Sequence, residues 1–231
     1  MKTIPSRALL AAGLTVAFCI VCLLMSASGF SSYFKMAASF SFLATALLAG
    51  AHRSMYGRIL FAGLVCSSFG DYFLLSGGES RFLAGLVAFL VAHLAYCAAY
   101  TVRGLRIHGL VPSAVAIVIV GVLVIRWVWP HVPSDLQIPV AAYTVVIGIM
   151  VILAGGTVSQ PGGGLILLGA VMFYVSDIFV ARQQFVSPGF ENAVLGLPLY
   201  FTGQAILALS VAPVNAETLE VRKPALLADR Q

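Results

Sequence analysis

The chain has 231 residues, of which 61% are hydrophobic and 9% charged, with a formal net charge of +5 and a mean hydropathy of +1.02. Soluble domains carry roughly 25% charged residues, so an ordinary soluble globule is excluded and an integral membrane protein is implied. The positive charge does not point to nucleic acid, because most of the cations fall in short segments between apolar windows, where they set topology.

Eight windows are each long enough to cross about 30 Å of hydrocarbon, which takes about 20 residues at about 1.5 Å each. The first, residues 8–26, follows Lys2 and Arg7 and carries Cys19 and Cys22. Its apolar run exceeds the roughly 7 to 15 residues of a signal-peptide core, so it reads as a span; the alternative is a leader cut near Ser26-Ala27-Ser28. The CxxC spacing has no metal or redox partners on that helix, and the two thiols, like Cys66 and Cys97, read as small packing residues. The second window, 34–50, opens at Lys35, and the third, 58–75, ends in Ser67-Ser68-Phe69-Gly70-Asp71. The fourth, 82–100, places Gly85, Phe89, His93, Tyr96 and Tyr100 at helical spacing. The fifth and sixth, 110–128 and 136–154, contribute no candidate site residue.

Residues 155–163 are glycine-rich but lack the GxxxxGK[ST] pattern and a preceding strand, so they read as a turn and not as a phosphate loop. The seventh window, 164–181, carries Tyr174 and Asp177, and the eighth, 193–212, sets Tyr200 and Gln204 one turn apart. From Pro213 to Gln231 the chain turns polar. The expected organisation is therefore a transmembrane domain over residues 1–212 and a cytoplasmic tail over 213–231.

If eight helices alternate, Lys2, Arg7, Arg53, Arg58, Arg103, Arg106, Arg222, Lys223 and Arg230 share the side of both termini. Lys35, Arg81, Arg126 and Arg182 fall on the other side. Short loops rich in Lys and Arg resist translocation, so both termini are expected in the cytoplasm, with the plasma membrane of a bacterium as the setting.

The stretches VCSSFGDYFLLSGG and VMFYVSDIFVARQQ form a faint repeat, each an apolar run, a small residue, an aspartate and a polar loop. They predict two parallel four-helix halves, with Asp71 and Asp177 at one depth about 20 Å from the cytoplasmic ends. A carboxylate in a transmembrane segment is costly and faces a bundle interior or a wet cavity. Ser67 and Ser68 share the helical face of Asp71, and Tyr174 stands one turn before Asp177 as a nearby hydroxyl. No Lys or Arg takes an obvious intramembrane partner position, so both aspartates point to chemistry rather than to a structural ion pair.

The runs GLVCSSFGD (63–71), AFLVAHLAY (88–96), VSD (175–177) and YFTGQ (200–204) resemble the recurring stretches of the YhhN-like lysoplasmalogenase family, in matching order over nearly the whole chain. The resemblance implies an all-α, eight-helix membrane enzyme that hydrolyses the vinyl ether bond of lysoplasmalogens. The products are a fatty aldehyde and glycerophosphoethanolamine or glycerophosphocholine.

The residues suit that chemistry. Proton transfer to the vinyl ether β-carbon gives an oxocarbenium ion, water captures it, and the hemiacetal collapses to aldehyde and alcohol. One acid and one base suffice, and two carboxylates in a low-dielectric cavity share a proton in this way. The expected catalytic residues are Asp71 as acid and Asp177 as base. His93, Tyr96, Tyr200 and Gln204 are expected to position water and the glycerol hydroxyl, with Lys35 facing the lipid phosphate. No cofactor and no metal are expected. The partners are the lysophospholipid, water and the bilayer, and no nucleic acid. The competing readings are a zinc hydrolase built on Asp71, Asp177 and His93, disfavoured because the other histidines lie in loops or at helix ends, and a small transporter, disfavoured by the lack of clearly broken helices.

Overall fold

The computed structural model describes residues 4–25 and 30–217. Ser26-Ala27-Ser28, Lys2 and the tail cations Arg222, Lys223 and Arg230 lie outside them. No strand occurs among the described residues. They form α1 (Ser6–Leu24), α2 (Ser31–Leu48), α3 (Met55–Phe73), α4 (Glu79–Arg103), α5 (Ile107–Val128), α6 (Gln137–Gly155), α7 (Gly163–Ala181) and α8 (Leu197–Leu209). Each helix falls on one of the apolar windows.

Six helical segments are long and apolar enough to cross a membrane: those containing α1, α4, α5, α6, α7 and α8. Helices α2 and α3 fall short because Lys35, Ser39, Ser41 and Thr45 interrupt the first, and Arg58, Ser67, Ser68 and Asp71 the second. The protein is an integral membrane protein. Around α8 the helical path extends further than expected. A π-helical turn, Asn192–Gly196, leads into it, and helix continues to Glu217. The first residues of the expected polar tail are therefore helical, and residues 218–231 lie outside the described ones.

Local chemistry sets the helix ends. Ser54 caps α3 by accepting from the Gly57 amide at 3.1 Å, which satisfies one of the free donors of the first turn. Before α7, Gly162 takes φ +82°, a conformation that L side chains avoid; the glycine-rich segment after α6 is thus a turn, as its sequence predicts.

The helices pack as a ring. Along the chain α1 contacts α2, α2 contacts α3 and α3 contacts α4; α4 crosses to α6, α6 contacts α7, α7 contacts α8, and α8 closes on α1 and α2. Helix α5 stands outside this ring, on α6, and its Val111, Val118, Ile119, Val122 and Leu123 are each more than half exposed, as suits an apolar face against hydrocarbon. Inside the ring, Phe42, Leu60, Leu64, Phe173, Phe201 and Leu207 are fully buried.

Close approach of α3 to α4 depends on Gly63, where an added Cβ would run into the Tyr96 ring, with Cδ1 at 2.7 Å. Tyr96 is itself fully buried and has nowhere to retreat. Gly63→Ala is therefore expected to destabilise by about 1–3 kcal/mol, the range for overpacking, read as a lowered Tm of the detergent-purified protein. An unchanged Tm would mean that α3 and α4 are further apart than described.

Candidate active site

Three of the inter-helix segments, 74–78, 129–136 and 182–196, belong to one end of the bundle. A cavity of about 590 Å³ lies beneath them. Its rim includes Ser76, Gly77 and Gly78 after α3, His131 and Pro133 after α5, and Gln183 to Phe185 after α7. Its wall is largely apolar, with Phe82, Leu86, Phe89, Val140, Ile147 and Ile178. Among these side chains it holds Lys35, Asp71, Tyr143, Tyr174, Ser176, Asp177 and Tyr200. A largely apolar pocket with a few convergent polar groups fits an amphiphile.

The sequence-predicted aspartates therefore line one cavity. Asp71 comes from the end of α3, is only 2% exposed, and accepts two hydrogen bonds on Oδ2: from Ser39 Oγ at 2.6 Å and from the Tyr200 hydroxyl at 2.8 Å. Ser39 lies one turn after Lys35 on α2, and the Lys35 carbonyl is its second acceptor at 3.2 Å. Asp177, on α7, is partly exposed to the cavity. Its Oδ2 accepts a short hydrogen bond from the Tyr143 hydroxyl of α6, and Ser176 Oγ stands 3.3 Å from its Oδ1. Each carboxylate is thus held by a tyrosine from another helix through one oxygen. Neither makes an ion pair with Lys35 among the described residues, so the lysine remains a free cation on the cavity wall. Asp71 and Asp177 lie sixteen and fourteen residues after the first residues of their helices, a difference of about 3 Å in helix rise.

The other expected groups divide. Tyr200 and Lys35 line the cavity, whereas His93, Tyr96 and Gln204 are fully buried behind it and are not among its lining residues. They form a second polar layer. The Tyr96 hydroxyl donates to Gln204 Oε1 at 3.0 Å and meets Ser67 Oγ at 3.1 Å. Between the layers stand Phe89, Phe173 and Tyr200, whose ring centroids are 5.1 to 5.9 Å apart. Ser67 and Ser68 do not bond Asp71: the first pairs with Tyr96 and the second returns to the Val65 carbonyl at 2.7 Å. The hydroxyl on Asp177 is that of Tyr143, not of Tyr174. Sequence reasoning missed Tyr143 and Ser39, because each meets its carboxylate across helices, 34 and 32 residues away.

Among the described residues, no group of three or more His, Cys, Asp or Glu side chains is gathered closely enough to hold a metal. Chemically, the site offers two carboxyl groups, three phenols, two of which donate to those carboxyls, and one amine around an apolar pocket. That set can transfer a proton, stabilise a developing cation and hold an anionic headgroup.

A family model described as the YhhN family matches residues 30–211. The chain is similar to the protein named lysoplasmalogenase TMEM86A of Bos taurus, 28% identical over 65% of this chain and 64% of that one. It is also similar to lysoplasmalogenase TMEM86B of Homo sapiens, 30% identical over 67% and 64%, and to the lysoplasmalogenase of Mycobacterium tuberculosis, 30% identical over 67% and 59%. The chain thus spans a little under two thirds of the length of these curated relatives. No solved structure matches it significantly.

Proposed function

Because the chain belongs to the YhhN family, we propose that it is a lysoplasmalogenase, which hydrolyses the vinyl ether bond of a 1-alkenyl lysophospholipid to a fatty aldehyde and a glycerophospho-base. The observation that carries this reading is that Asp71 and Asp177, each held by a tyrosine through one oxygen, line one apolar cavity together with Lys35.

The pair shares one proton. The protonated carboxyl gives its proton to the β-carbon of the vinyl ether, and the electron pair of the C=C bond forms the new C–H bond. The remaining carboxylate faces the oxocarbenium ion, as in glycosidases, and then takes a proton from the water that adds to the cationic carbon. In the collapse of the hemiacetal its O–H proton passes to the carboxylate that began as the acid, the freed electron pair forms the aldehyde C=O, the C–O bond to glycerol breaks, and the other carboxyl gives its proton to the glycerol oxygen. No net proton is consumed, so the pair is regenerated after each turnover. Ser39 and Tyr200 hold Asp71 through Oδ2, and Tyr143 and Ser176 hold Asp177 through its two oxygens, so that both carboxyl groups are kept facing the substrate.

In the same reading all eight helices cross the bilayer as two parallel halves and both termini lie in the cytoplasm of a bacterial cell. The cavity then opens in the outer half of the inner membrane, where a single-chain lipid keeps its tail in hydrocarbon and its vinyl ether just below the headgroup. Lys35 faces the phosphate. His93, Tyr96 and Gln204 serve the site from the second layer.

The test is release of aldehyde from lysoplasmenyl lipid by detergent-purified protein; a pure, folded preparation that releases none refutes the reading. Lys35→Met is expected to raise KM by about tenfold with little change in kcat, since phosphate binding is similar in ground and transition states. A fall in kcat alone would place Lys35 in the chemistry.

A further inference from the structure

Four polar atoms behind the cavity have no hydrogen-bond partner: both ring nitrogens of His93, the hydroxyl of Tyr100 and Nε2 of Gln204. All three residues are fully buried. Buried polar groups are nearly always paired, with protein or with an ordered water, and these belong to one cluster. His93, Tyr96 and Tyr100 occupy one face of α4, three and four residues apart. The ring centroid of His93 lies 6.3 Å from that of Tyr96, and Tyr96 stacks on Tyr100 at 6.5 Å. Opposite them, Gln204 and Ser67 bond the Tyr96 hydroxyl.

The cluster touches the machinery on both sides. The His93 ring packs on Tyr143, the donor to Asp177, at 5.2 Å between centroids. Gln204 lies one turn after Tyr200, the donor to Asp71. A neutral imidazole offers one donor and one acceptor and a phenol offers both, the complement that a water molecule satisfies. Hydrolysis also needs water at a moment when a lipid fills the cavity and its tail and headgroup occupy the way to the rim.

We propose that His93, Tyr96 and Tyr100 hold ordered water behind the aspartates and that this internal site supplies the water consumed in the reaction while the lipid occupies the cavity. The supply role rests on the hydrolase reading; the water site does not. His93 and Tyr100 are then positioning residues, acting through bound water rather than on the lipid.

Radiolytic hydroxyl labelling of the full chain in detergent reads bound water directly, because radicals form where water resides. His93, Tyr96 and Tyr100 are expected to label well above Phe42 and Phe201, which are equally buried aromatics without a polar atom of their own, after correction for intrinsic reactivity. His93→Phe and Tyr100→Phe keep ring shape and remove the water ligands. Each is expected to lower kcat by roughly threefold or more with KM unchanged, and to lower Tm, because a hydrated group loses bonds that it had. A dry cluster gives the opposite sign: removing an unpaired buried polar atom raises Tm and leaves kcat alone. Labelling no higher than at Phe42 and Phe201, or unchanged kcat in either folded variant, overturns the proposal. Labelling by water in a wild-type protein that releases no aldehyde would remove the hydrolase reading and the supply role with it, and leave the water site standing, so the two failures are told apart.

Discussion

Asp71→Asn and Asp177→Asn are each expected to cut aldehyde release from lysoplasmenyl lipid by about 100-fold or more, the scale of losing a positioned general acid or base. Asparagine keeps the size of the side chain and can still accept from Tyr200 or Tyr143, so the fold should survive. Melting curves check that it does. The double variant is expected to be little worse than the worse single one, since residues that act as a unit in one step are not additive. Near-normal turnover in either folded variant would make that carboxylate structural.

Tyr143→Phe and Tyr200→Phe are expected to lower kcat by about 10- to 100-fold with little change in KM, because each removes the hydroxyl that aims a carboxylate at the substrate, and misplacement of a reacting group is expensive. The two should also displace the pH dependence of kcat, since each changes the hydrogen bonding of one member of a coupled pair. A purely structural tyrosine would alter Tm and leave the pH profile in place. Tyr174→Phe is the control: Tyr174 lines the same cavity but does not bond Asp177, so kcat should be nearly unchanged.

The helices were legible because a span needs about 20 apolar residues whatever its neighbours are, and the chain's apolar windows each became a helix. That Asp71 and Asp177 line one cavity was legible too, from the cost of an intramembrane carboxylate and from their similar positions in two related segments. What spacing conveys is a face of a helix, and it conveys nothing about how deep that face lies. His93, Tyr96 and Gln204 share faces with cavity residues yet sit one layer behind, because the aromatic group of Phe89, Phe173 and Tyr200 comes between. Tyr143 stood in a window with no polar repeat to mark it, and its role depends on how α6 packs against α7, a contact between helices that local pattern does not encode. Ser67 illustrates the same limit from the other side. It lies one turn from Asp71, and its hydroxyl is taken by Tyr96 of α4.

The central claim, that a carboxyl pair protonates a vinyl ether carbon, is tested most directly by turnover in D2O, with the aldehyde trapped by reduction as it forms and weighed by mass spectrometry. Protonation of the β-carbon from a solvent-exchanged carboxyl predicts one deuterium on the carbon next to the aldehyde, at a yield that falls with kcat in Asp71→Asn and Asp177→Asn. Aldehyde without that deuterium, or no aldehyde from folded wild-type protein, would contradict the account.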